Sequence, residues 1–125
     1  MFRRVVITGT IGAALFLTVA VAGYGRATAS KTLQGTVGPG YTISLKMNGK
    51  PVKSLGAGAY TFVVADKSSA HGFTLEKEKG GKFEKALTPV GFVGKKTVKV
   101  KLTAGKWKIY CPPHESMMYA FFTVK

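Results

Sequence analysis

The chain has 125 residues, nineteen Lys and Arg against five Asp and Glu, a formal charge of +14 and a single cysteine. That length holds one domain, the lone cysteine excludes an intrachain disulfide, and five scattered carboxylates give no obvious acid pair for hydrolytic chemistry. The lysines alternate with apolar residues instead of interleaving with aromatics, so solvated strand faces account for them and no specific nucleic-acid surface is expected.

Met1-Phe2-Arg3-Arg4 is basic, Val5 to Ala22 is uncharged and mostly apolar, and Arg26-Ala27-Thr28-Ala29 ends in a small-x-small pattern. These are the three parts of a secretory signal, so residues 1–29 are read as a signal peptide. An uncleaved anchor is the alternative, since the apolar run is nearly long enough to span a bilayer. Either way the domain is exported, to a periplasmic, extracellular or cell-surface setting. From Ser30 onward sixteen lysines face five carboxylates, about +11, a field that favours an acidic partner protein and allows contact with an anionic membrane surface.

Residues 30–36 read as a short linker and 37–125 as the domain. Tyr41 to Met47 alternates apolar and polar residues and ends at Asn48-Gly49, a hairpin turn signal. Tyr60 to Ala65 is a second β-rich run and His71 to Leu75 a short third. Glu76 to Lys85 is charged and glycine-containing, which predicts an exposed loop. Lys96 to Thr103 and Lys106 to Cys111 are strands around Ala104-Gly105, and Tyr119 to Lys125 is the last. Short strands with turns between them predict an all-β antiparallel sandwich or barrel. Pleat parity puts Trp107, Ile109 and Cys111 on one face, with Met118, Ala120, Phe122 and Val124 sharing a face in the last strand.

The sequence CPPHESMM, Cys111 to Met118, gathers a thiol, an imidazole and two thioethers. An odd cysteine outside the cytoplasm is an intermolecular disulfide, a free thiol or a metal ligand. Two prolines stiffen the turn between Cys111 and His114. A thiolate, imidazole and thioether together suit copper cycling between its two oxidation states, and the second imidazole such a site needs is supplied by the one other histidine, His71. Each residue also has an ordinary alternative: Cys111 as a small buried hydrophobe, the methionines as core or an exposed patch, and His71 as a hydrogen-bonded loop residue.

On the His71-Gly72-Phe73 segment, the Tyr110-Cys111-Pro112-Pro113-His114 turn and a methionine before the final strand, the sequence resembles the cupredoxins, the small type 1 blue-copper proteins. The resemblance spans about Tyr41 to Lys125. It implies a Greek-key β-sandwich of about seven to eight strands with one copper near one end. It implies His71, Cys111 and His114 as equatorial ligands and Met118 as the weak axial one. Met117 is the alternative, disfavoured because a one-residue slip would expose Phe122 and Val124. Gly72 departs from the family, where an asparagine commonly ties the ligand loops together, although its backbone N–H can still reach the sulfur. The implied function is single-electron transport, not enzyme catalysis, by a monomer meeting a redox partner protein, with His114 and Tyr110 as electron-transfer routes. Copper delivery without electron transfer, or a metal-free interaction module, are the alternatives.

Overall fold

The computed structural model describes residues 30–125; the leader expected over 1–29 lies outside them. The strands in chain order are β1 (Lys31–Val37), β2 (Ile43–Met47), β3 (Lys50–Pro51), β4 (Ser54–Leu55), β5 (Gly58–Asp66), β6 (Phe73–Lys79), β7 (Glu84–Thr88), β8 (Gly94–Leu102), β9 (Gly105–Tyr110) and β10 (Tyr119–Val124). They form two five-stranded sheets, β3-β2-β1-β5-β8 and β4-β10-β9-β6-β7, packed as a sandwich. The expected sandwich is therefore present with ten strands instead of seven or eight, of which β3 and β4 are only two residues long.

Three expectations need correction. Residues 30–36 do not form a linker: β1 starts at Lys31 and pairs parallel with β5 from Lys31↔Tyr60 to Val37↔Asp66. Its inward residues Leu33, Gly35 and Val37 are apolar, but Gly35 breaks the β-branched pattern that marks a strand. Gly35 is required because a Cβ there would lie 2.9 Å from the Phe73 ring of the opposite sheet. Second, with β4 also parallel to β10, the sheets are mixed, not purely antiparallel.

Third, Glu76 to Lys85 is not a loop. β6 runs on to Lys79, turns through Gly80 and Gly81 at positive φ, and returns as β7 at the sheet edge. Charged residues suit an exposed edge hairpin as well as they suit a loop, so polarity alone does not separate the two.

The hairpin predicted at Asn48-Gly49 is present. Both residues have positive φ, 50° and 77°, as a two-residue primed turn requires, and Met47 pairs with Lys50 across it. Between the sheets lies one apolar core that includes Leu33, Phe62, Val64, Phe73, Leu75, Trp107, Ile109, Met118 and Phe122. The predicted parity of the last strands is found: Trp107, Ile109 and Cys111 are buried together, as are Phe122 and Val124. No helix among the described residues is long and apolar enough to cross a membrane.

Candidate metal centre

Two separate stretches of chain meet at one end of the sandwich. The first is the segment leaving β9. Cys111 continues the inward row of Trp107 and Ile109 and is fully buried. Pro112 and Pro113 then open a single 3-10 turn, Pro112–His114, where missing N–H groups cost nothing because the first turn of a helix has no internal acceptors for them. The loop closes on itself through its own backbone. The His114 N–H donates to the Cys111 carbonyl at 3.0 Å, and the Met118 N–H donates to the His114 carbonyl at 2.8 Å. The Cys111 N–H donates to the Met118 carbonyl at 3.0 Å, tying entrance to exit. Met118 is 1% exposed and belongs to the core, whereas Met117 is 59% exposed. The difference follows the parity set by β10.

The second stretch is the turn from β5 to β6. The Asp66 carboxylate accepts the Ser68 N–H, the Ser68 hydroxyl accepts the Ala70 N–H, and the His71 N–H donates to the Ser68 carbonyl. A further bond from the Gly91 N–H to the Ser69 carbonyl, 3.0 Å, pins this turn to the connection after β7. His71 is thereby buried with its ring turned toward Cys111. The Gly72 N–H lies 3.5 Å from the Cys111 sulfur, the reach expected of it. A Cβ at Gly72 would sit 3.0 Å from the Thr88 carbonyl and 3.2 Å from Val90. The asparagine of related sites has no room here without a shift of β7.

The side chains of His71, Cys111 and His114 converge. The two Nδ1 atoms are 3.2 Å apart, and each is 3.7 Å from the Cys111 Sγ. A point equidistant from these three atoms is ~2.1 Å from each, which is ordinary bonding distance from a metal to imidazole nitrogen and close to that for thiolate sulfur. Two imidazole nitrogens and a sulfur lie within 3.7 Å of one another, an approach favourable only with a proton or a cation between them. The donor set therefore fits a single metal ion. His71 and Cys111 are buried and His114 is half-exposed, so the centre opens outward on the His114 side.

Tyr110, on the opposite pleat face from Cys111, points away from the donors. Its hydroxyl donates to the Glu84 carboxylate at 2.7 Å. Burial, and then this bond to an anion, push its ionisation well above the usual tyrosine range.

One residue beside the donors was not foreseen. Tyr41 belongs not to a strand, as its alternation with the residues after it implies, but to the loop 38–42 that precedes β2. Its ring centroid lies 5.8 Å from that of His71 and 5.0 Å from that of His114. A lone aromatic in a Gly-Pro-Gly turn was the available signal.

No family model matches the sequence, and no curated protein matches it. Solved structures do. Auracyanin A, described as a blue copper protein from the green thermophilic photosynthetic bacterium Chloroflexus aurantiacus, superposes with a TM-score of 0.53 at 15% identity, covering 77% of this chain and 99% of that one. A rusticyanin structure gives a TM-score of 0.51 at 23% identity over 78% of this chain and 79% of the other. The Cu(I) form of an amicyanin variant gives 0.50 at 15% identity over 79% and 87%. The chain has the cupredoxin fold.

Proposed function

We propose that this chain is an exported electron carrier with one copper ion in a type 1 site, which His71, Cys111, His114 and Met118 would hold. The observation that carries this reading is the Nδ1–Nδ1–Sγ triangle, whose donor types and spacing suit a trigonal His₂Cys site. Copper bound there supplies the Cu(I)/Cu(II) couple. The residues do the rest. Burial of Cys111 and Met118 keeps water from the sulfur donors, and the closed backbone of the Cys111–Met118 loop resists movement when the charge of the centre changes. A donor set that barely moves opposes electron transfer little.

His114, half-exposed, is the route by which electrons leave, and Tyr110, next to Cys111 in sequence, is a second route. The lysine excess suits a redox partner with an acidic docking surface, met by the protein as a monomer. The fold neighbours described as copper proteins support the choice of metal.

Titrating the purified metal-free protein with Cu(II) tests this. One equivalent is expected to produce an intense thiolate-to-Cu(II) absorption that Cys111→Ser abolishes, and the coloured form should exchange electrons reversibly at an electrode. Tight, colourless Cu(I) binding without reversible electrochemistry would instead indicate copper delivery. Absence of any copper uptake would remove both readings.

A further inference from the structure

In most metal sites the second nitrogen of each ligating histidine is tied to a carboxylate, carbonyl or water, which fixes the ring's orientation. Here both imidazoles use Nδ1 toward the donor triangle, and among the described residues no protein group hydrogen-bonds either Nε2. His114 is also only half-buried, so on the Nε2 side no protein hydrogen bond holds its ring, and its only polar protein contacts are those of Nδ1 within the triangle.

What touches both rings is Tyr41. It meets His114 edge-on at 5.0 Å with planes 80° apart, and His71 at 5.8 Å with planes 62° apart. The two imidazoles are themselves edge-on at 5.0 Å and 78°. These separations and tilts fall in the favourable range for aromatic pairs. Tyr41 holds this place although 63% of it is exposed. Its loop is built to bring it there. The Gly38 N–H donates to the Thr42 carbonyl and the Thr42 N–H to the Gly40 carbonyl, folding the loop back on itself. Gly38 has φ +75°, and a Cβ on it would come within 3.2 Å of the His71 ring, so the loop lies directly against that imidazole.

We propose that Tyr41 is a positioning residue for the His71–His114 pair, orienting both imidazoles by ring packing where many metal sites use a hydrogen bond from a protein group to the outer nitrogen. It rests on the reading of these histidines as ligands. The contact is made by the ring and not by the hydroxyl, so phenylalanine should serve and alanine should not.

Two measurements on wild type, Tyr41→Phe and Tyr41→Ala test this. In the metal-free proteins, NMR relaxation dispersion of the labelled imidazoles should show His114 in one orientation for wild type and Tyr41→Phe, and exchanging for Tyr41→Ala. In the copper-loaded proteins, transfer to a competing Cu(I) chelator should be roughly tenfold or more faster for Tyr41→Ala, and within about twofold of wild type for Tyr41→Phe. Because Tyr41 is largely exposed, the thermal midpoint should change little, which separates a positioning role from a folding one. A Tyr41→Ala protein with unchanged imidazole dynamics and unchanged copper transfer overturns the proposal. So does equal impairment of both variants, which would assign the effect to the hydroxyl. If the wild type takes up no copper, the ligand reading fails, and the metal-free dynamics still decide the role of Tyr41.

Discussion

The two stretches that form the metal centre are stabilised in different ways. The loop from Cys111 to Met118 is a local object: its ends are bonded to each other, its turn is set by two prolines, and its bonds span few residues. His71, by contrast, is delivered by packing at a distance. Its turn is pinned by Gly91, its strand presses Phe73 against Gly35 of the other sheet, and its ring rests on Gly38 and Tyr41. One half of the centre is thus preorganised by neighbours in sequence. The other depends on the two sheets meeting correctly, so damage far from the centre should reach His71 before it reaches Cys111.

The largest expected effect tests the local half. Met118→Ala should destabilise the protein by about 2–5 kcal/mol, the usual cost of emptying a buried methionine site, while Met117→Ala should stay within about 0.5 kcal/mol. Urea unfolding of the metal-free proteins checks this, and equal costs for the two would contradict the parity that turns Met118 inward. Next comes a probe of the distant half. Gly35→Ala drives a Cβ into the Phe73 ring and should cost about 1–3 kcal/mol. The imidazole resonances of His71 should shift more than those of His114; a larger shift at His114 would reverse the assignment of local and distant control.

The smallest effect concerns the strand that feeds the loop. Tyr110→Phe removes the bond to Glu84 and should cost about 0.5–1.5 kcal/mol near neutral pH. Tyr110 ionises less readily folded than unfolded, so its contribution is complete below the ordinary tyrosine range and is lost as pH rises through and above it. Stability measured between pH 9 and 11 should therefore fall more steeply for wild type than for Tyr110→Phe. Parallel slopes would show that Tyr110 ionises as readily in the folded as in the unfolded chain.

The same division explains what could be read in advance. Cys111, His114 and the inward turn of Met118 were legible because spacing, proline and strand parity act over a few residues. His71 follows from the sequence only as the remaining imidazole and from the resemblance carried by His71-Gly72-Phe73, since no local pattern encodes that it faces Cys111. β1 is hidden in the sequence because Gly35 looks like a linker residue until Phe73 is placed against it. The hairpin of β6 and β7 reads as a loop because an exposed edge strand and a loop share the same charged composition. Tyr41 reads as the start of a strand, since its alternation with the following residues continues the β2 pattern.

The direction of β1 has one more consequence. The strand enters the sandwich at Lys31 and runs its seven residues, ~23 Å, toward Gly38, which lies against His71. Ser30 therefore lies toward the pole opposite the donor atoms. A protein tethered by that end, to a bilayer, a resin or an electrode, presents His114 outward to a partner arriving from solution, and a purification tag placed there leaves the centre uncovered.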